Sequence, residues 1–195
     1  MSAETPALAA IRHVGVIGAG QMGNGIAHVC ALAGYDVVLA DVKEEQLKKA
    51  LDTINRNMDR QVKRAVLSEQ ERDAAVGRIK TTTTVTDVND CDIVIEAATE
   101  NEQVKREILK TLSTKLKKGA IIATNTSSIS ITRLAAATDR PEKFIGMHFM
   151  NPVPLMELVE LIRGIATEDD VFGIARQFVE SLGKTTAVSE DFPAF

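Results

Sequence analysis

The sequence predicts an α/β fold, doubly wound, with a mostly parallel sheet and additional strands at its C-terminal end. Three observations carry that expectation. Short β-branched runs alternate with longer amphipathic segments, the pattern of a parallel sheet with helices on both faces. Gly34 and Gly119 each fall between a helical stretch and the next strand, where a left-handed cap residue is wanted. Past residue 140 the style changes, yet strand-like segments continue to the end.

In order, VGVI at 14–17 opens the sheet and a helix follows over 22–33. VVLAD at 37–41 is the second strand, followed by a long polar helix over 43–65. IKTTTT at 79–84 and DIVIEA at 92–97 add two more strands, then a helix spans 101–117 and AIIAT at 120–124 forms the next strand. FIGMHF at 144–149, an NPVP turn and MELVELI at 156–162 read as two strands around a loop. A helix over 168–182, ended by Gly183, leads into TTAV at 185–188. Residues 1–195 form one folded unit, and the apolar aromatic end after SEDFP predicts a further domain downstream.

Composition excludes several classes. The 23 Lys and Arg against 27 Asp and Glu give a net charge of −4, which argues against a nucleic-acid partner. Hydrophobic residues at 45% and charged residues at 26% suffice for a core. No apolar run approaches the ~18 residues of a membrane span, and the N-terminus lacks the features of a signal peptide, so a cytoplasmic protein is expected. Cys30 and Cys91 sit inside apolar periodic segments and fit buried thiols better than a disulfide framework or a metal site.

The first strand runs into Gly18-Ala19-Gly20-Gln21-Met22-Gly23, then a helix, then a strand ending in Asp41. The first glycine permits the tight turn, the second lets backbone approach a pyrophosphate, and the third allows close helix packing. An acid at the end of the second strand completes a dinucleotide fingerprint of the Rossmann type. Asp41 would accept hydrogen bonds from the adenosine ribose and repel a 2′-phosphate, which favours NAD over NADP; the plain alternative is a solvated strand-end acid.

His148 lies in a strand-like segment among Met147, Phe149 and Met150. A core histidine bonded to backbone is the ordinary reading of such a residue, but an acid on an apolar face nearby changes the balance. Strand alternation puts Met156, Leu158, Glu160 and Ile162 on one face and Glu157, Val159, Leu161 and Arg163 on the other. A buried carboxylate needs a partner, and an imidazole suits it. Hairpin spacing across NPVP would instead pair His148 with Glu157; the face argument favours Glu160. Asn125-Thr126-Ser127-Ser128 follows a strand at its carboxyl end, where open sheets bind ligands, though the same residues could cap a helix starting near Ile131. His13 and His28 read as structural. Arg56, Arg60, Lys63 and Arg64 make a basic stripe that could meet the phosphates of a coenzyme A thioester, although such stripes are usually solvated.

With these residues in place, the sequence resembles the NAD-binding domain of the 3-hydroxyacyl-CoA dehydrogenases, most closely the bacterial 3-hydroxybutyryl-CoA dehydrogenases. The matching stretches are VGVIGAGQMGNGIA at 14–27, VIEAATENEQVKREI at 94–108, ATNTSSISIT at 123–132 and GMHFMNPVPLMELVE at 146–160. The resemblance implies NAD as cofactor, an acyl-CoA thioester as substrate, His148 as general base and Glu160 as its carboxylate partner. It implies a contact of Ser127 with substrate and nicotinamide, and cofactor contacts at Glu100, Lys105 and Asn151, besides those of Gly18, Gly20, Gln21, Met22, Gly23 and Asp41 in the fingerprint. It also points to Arg60 and Arg64 as coenzyme A contacts. Family members continue into a helical domain that supplies a further catalytic asparagine and most of a dimer interface, which this chain is expected to lack. Two competing readings are a different Rossmann hydroxyacid dehydrogenase, usually built on a catalytic lysine, and a non-catalytic NAD-binding module.

Overall fold

The computed structural model describes residues 8–191. The N-terminal stretch 1–7, read above for a targeting signal, and the aromatic end at Phe195 lie outside the described residues. Strands β1 (His13–Ile17), β2 (Asp36–Ala40), β3 (Ile79–Thr82), β4 (Ile93–Glu96), β5 (Ile121–Thr124), β6 (Phe144–Phe149), β7 (Leu158–Arg163) and β8 (Thr185–Glu190) form one sheet in the order 3-2-1-4-5-6-7-8. The first six run parallel; β7 is antiparallel to β6, and β8 is parallel to β7. The strand order reverses between β1 and β4, and in such sheets the crevice beyond the carboxyl ends at that point is where ligands bind.

Helices α1 (Gln21–Leu32), α2 (Glu44–Lys63), α3 (Glu69–Gly77) and α6 (Asp169–Ser181) cover one face, and α4 (Glu102–Ser113) and α5 (Ile131–Ala135) the other. Alternation along the strands divides the core accordingly. Val14, Val16, Leu39 and Ile95 meet Val29, Ile54, Met58 and Phe178 on the first face. Ile17, Val94, Ile122 and Phe144 meet Leu109, Leu112, Ile131 and Leu134 on the second. In α2 the buried residues Leu47, Ala50, Ile54 and Met58 recur at helical spacing, while Glu44 and Glu45 in its first turn and Arg60 and Lys63 in its last complement the helix dipole.

Several boundaries differ from expectation. Helix α3 was not expected, although Ser68 and Glu71 form a capping box that ties two backbone N–H groups at its start. The helix expected over 101–117 ends at Ser113, where the Arg140 guanidinium donates to the carbonyls of Ser113 and Lys117 that a longer helix would have used internally. Gly119 does take a left-handed φ of 91°, but in the turn that follows rather than at the helix cap; Gly34, at φ 96°, stands directly after the α1 cap. Strand β7 begins at Leu158 rather than 156, and β8 runs on to Glu190. No helix among the described residues is long and apolar enough to cross a membrane.

His28 is structural, as its mid-helix place suggested, and it is only 1% exposed. Its Nε2 lies 3.2 Å from Gln61 Oε1, an acceptor, so Nε2 carries the proton and Nδ1 is a bare lone pair without a hydrogen-bond partner among the described residues. Burial pushes its pKa down to about 4, against the hydrogen bond to Gln61, which raises it. The unfolded chain therefore binds a proton that the folded chain refuses. Stability is expected to be unaffected above pH ~6.5 and to fall by about 3 kcal/mol as pH drops toward 4. Urea unfolding at both ends of that window should show a shallower loss in His28→Gln; an equal loss would show that His28 does not set this acid limb. The two cysteines are buried free thiols, both pushed up by burial, Cys91 to about 12.

Candidate functional site

Strand β1 ends in a turn that only glycine can make. Gly18 has φ 98°, and a Cβ there would stand 2.5 Å from Ala98 Cα in the segment after β4. At Gly23 a Cβ would stand 1.7 Å from the Gly18 carbonyl oxygen, so α1 packs directly on the turn. Gly20 is different: among the described residues nothing lies within 4 Å of its would-be Cβ. No protein packing requires a glycine at that position, whereas a ligand approaching the N-terminus of α1 would. Asp41, just past β2, accepts from Ala19 N at 2.8 Å and from Lys43 N at 2.9 Å. It thus braces the turn and faces a crevice of about 400 Å³ lined by Gly18, Gly20, Lys43, Thr99 and Val104. Gln21, exposed at the start of α1, donates to Asn151 Oδ1 at 3.1 Å. The Met22 side chain packs on the core, so only its backbone is left to face the crevice.

The β6–β7 ladder settles the choice of acid. His148 and Glu160 are direct register partners, and Nδ1 lies 2.8 Å from Oε2. Glu157 precedes the ladder, in a turn that occupies 150–157 and is longer than the hairpin spacing assumed; its carbonyl accepts from Thr185 N. The pair is less enclosed than the face argument required, with 19% and 22% of the two side chains exposed, because Leu158 on the same face is itself at the rim. An ionised Glu160 needs the proton on Nδ1, which leaves Nε2 as a lone pair able to accept another.

Beside this pair, the loop after β5 is clamped by one carboxylate. Glu100 Oε1 accepts from Thr126 Oγ1 at 2.6 Å, Ser127 N at 2.8 Å, Ser127 Oγ at 3.0 Å and Ser128 Oγ at 3.3 Å. Burial raises the Glu100 carboxyl, but the hydrogen bonds from Thr126 and Ser127 and the charge of Lys105 outweigh it, so it lies below the ordinary carboxylate range. Asn125 ties the loop to β6 by accepting from Phe149 N, and Ser130 is the residue that caps α5. Ser127 itself is exposed.

Lys105 corrects the expectation of a direct cofactor contact. It is 1% exposed, and its ammonium lies 2.6 Å from Glu96 Oε2 and 3.4 Å from Thr124 Oγ1, with Glu100 at 4.0 Å. A buried ammonium must be paired, and Glu96 is the nearer acid. Lys105 thus lies buried on Glu96 and Thr124, with the Glu100 carboxylate 4.0 Å away. Glu96 and Thr124 were not singled out in sequence, since their strand pattern looks purely structural.

The basic stripe divides. Arg60 and Arg64 line a groove of about 530 Å³ whose opposite wall is Pro152, Pro154 and Leu155, and Asn57 and Gln61 of α2 join them. Arg56 turns back onto the helix, toward Asp52 O and Thr53 Oγ1. The 152–156 wall is held from both sides: buried Val153 packs on Gly25 of α1, and Lys184 Nζ donates to the carbonyls of Val153 and Met156 at 2.7 and 2.8 Å. The Gln21–Asn151 hydrogen bond joins the start of α1 to the segment after β6, next to the Pro152–Leu155 wall of this groove.

Comparison with known proteins gives a consistent result. A family model described as "3-hydroxyacyl-CoA dehydrogenase, NAD binding domain" matches residues 13–192. A 3-hydroxybutyryl-CoA dehydrogenase of Bradyrhizobium diazoefficiens is 63% identical over 187 residues, which are 96% of this chain and 64% of that protein. A probable 3-hydroxybutyryl-CoA dehydrogenase of Bacillus subtilis is 42% identical, over 95% of this chain and 64% of that one. The crystal structure of an (S)-3-hydroxybutyryl-CoA dehydrogenase from Ralstonia eutropha superposes with a TM-score of 0.93 at 47% identity, covering 95% of this chain and 66% of that one. The chain spans just under two thirds of the length of these relatives.

Proposed function

The chain belongs to the 3-hydroxyacyl-CoA dehydrogenase family, of which it carries the NAD-binding domain, and from that premise we propose that it serves the reversible oxidation of a 3-hydroxyacyl-CoA to the 3-oxoacyl-CoA. The observation that carries the proposal is the 2.8 Å pair of His148 and Glu160 on the β6–β7 ladder. NAD fits the residues present: the open space at Gly20 suits a pyrophosphate on the α1 N-terminus, and Asp41 keeps lone pairs for ribose hydroxyls. When bound, the nicotinamide supplies the hydride acceptor. The chain's own residues do the rest. His148 Nε2 takes the proton of the substrate hydroxyl, and Glu160 offsets the charge of the resulting imidazolium. Ser127 Oγ turns its one proton from Glu100 Oε1 to the reacting oxygen, while the Ser127 N–H stays bonded to Glu100 and holds the residue in place. Arg60 and Arg64 bind the phosphates of the coenzyme A moiety, opposite the Pro152–Leu155 wall.

Loss of NADH absorbance with acetoacetyl-CoA, measured beside NADH-binding fluorescence, tests this reading. NADH binding is expected of this chain, and turnover where the family's helical domain is also present; a protein that has both and turns over no 3-oxoacyl thioester would count against the reading. The groove has its own test. Arg60→Ala/Arg64→Ala should raise KM for acetoacetyl-CoA about tenfold or more, by the loss of charge-assisted hydrogen bonds. The KM for acetoacetyl-N-acetylcysteamine, which lacks the phosphates, should not change, and an equal rise for both would take the arginines out of the groove's function.

A further inference from the structure

Helix α5 starts where the Ser127 loop ends. A helix of five residues has too few internal hydrogen bonds to hold its own position, and its first N–H groups need outside acceptors. Ser130 provides one, accepting from Arg133 N at 3.3 Å. The rest come from beyond β8, at the other edge of the sheet. Asp191 Oδ1 accepts from Ile131 N at 2.8 Å, and Oδ2 accepts from Thr132 N at 2.8 Å and from Ser130 Oγ at 3.0 Å. Burial raises this carboxyl, but the hydrogen bonds from Thr132, Ile131 and Ser130 outweigh it and hold it below the ordinary carboxylate range.

The same helix is seated on the strand that carries His148. Ile131 fills the space over Gly146, where a Cβ would come within 2.8 Å of Ile131 Cδ1, and Gly146 lies two residues before His148 on the same face. The loop between β5 and α5 therefore has two tethers. Glu100 holds Thr126, Ser127 and Ser128 at one end, and Asp191 holds Ser130, Ile131 and Thr132 at the other. We propose that Asp191 is a positioning residue, which sets where Ser127 stands against His148 by fixing the far end of that loop. This rests on the reading that Ser127 faces the reacting oxygen. Asp191 touches neither ligand and acts only through Ser130–Thr132.

Asp191→Asn tests the proposal, because its amide must turn an NH₂ toward one of the N–H donors that the carboxylate accepts. Residue-resolved amide hydrogen exchange should rise about tenfold at Ile131 and Thr132 and, diagnostically, at Ser127 as well. The kcat for acetoacetyl-CoA reduction should fall about tenfold while the NADH Kd stays within about twofold. Exchange that rises only at 130–132, with kcat unchanged, would reduce Asp191 to a helix cap and overturn the proposal. Phe178→Leu, on the opposite face of the sheet, controls for general loss of stability; a matching rise at Ser127 in that variant would also overturn it. If the protein turns over no thioester even with the family's helical domain present, the functional reading fails, but Ser127 exchange still decides the positioning role. Should Asp191→Asn not fold, Asp191→Glu, which keeps the charge and displaces the oxygens, is read by the same criteria.

Discussion

His148→Gln is expected to lower turnover of acetoacetyl-CoA by about 10² to 10⁴, the range for a lost general acid-base, with the NADH Kd unchanged within about twofold. The substitution is chosen for what it preserves. A glutamine amide can still donate to Glu160, so the β6–β7 register and the half-buried carboxylate stay satisfied. The nucleotide crevice is formed at β1, β2 and β4, away from β6, so cofactor affinity has no reason to follow. What disappears is the Nε2 lone pair. Glu160→Gln should reproduce most of the loss, since the imidazolium then forms without a counter-charge 2.8 Å away. Glu157→Gln should be nearly silent, because Glu157 lies outside the ladder. If Glu157→Gln were the damaging variant instead, the site would be built on the hairpin register that the spacing suggested and the ladder does not support. Retention of full turnover in His148→Gln would remove the proton-transfer role altogether.

That contrast also shows what a sequence can and cannot convey. The alternation of strands and helices was legible because burial of both sheet faces writes itself into local hydrophobic pattern. The glycine turn was legible because its demands are local: a left-handed residue at Gly18, close packing at Gly23 and open space at Gly20 follow each other within six residues. Helix α3 had its signal in Ser68 and Glu71, but its weak apolar face, with Ala75 as its buried residue, hid it. The Lys105 reversal had no local signal at all. Its partner Glu96 is nine residues away and Thr124 nineteen, and only the parallel β4–β5 pairing brings the two acceptors to one buried ammonium. Asp191 is the extreme case, since it binds residues sixty positions earlier across three strands of the sheet. The division of the basic stripe was likewise invisible, because helical periodicity says which residues share a face and not what stands opposite them. The Pro152–Leu155 wall decides that Arg60 and Arg64 line a groove while Arg56 does not.

The fingerprint glycines yield the second large effect, and they yield it in opposite directions. Gly23→Ala would place a methyl group 1.7 Å from the Gly18 carbonyl oxygen, a backbone atom that cannot swing aside. Either α1 or the turn must move, and overpacking of that kind costs about 1–3 kcal/mol or more. A loss of stability is therefore expected first, with loss of NADH binding as its consequence. Gly20→Thr should do the reverse. No atom of the described residues lies within 4 Å of the new Cβ, the residue is already in extended backbone at φ −70°, and threonine is an accepted N-cap. Stability should stay within about 0.5 kcal/mol, the range of an unobstructed surface change. NADH affinity should nonetheless drop about a hundredfold, about 2.7 kcal/mol, because the side chain occupies the approach to the α1 N-terminus. Denaturant unfolding and NADH fluorescence on the same two variants separate the cases. A Gly20→Thr chain that binds NADH normally would mean that the open space serves something other than a pyrophosphate. A Gly23→Ala chain of unaltered stability would mean that the contact between α1 and the turn is looser than 1.7 Å implies. Both glycines belong to one motif, yet one is kept by the protein's own packing and the other by the shape of what it binds.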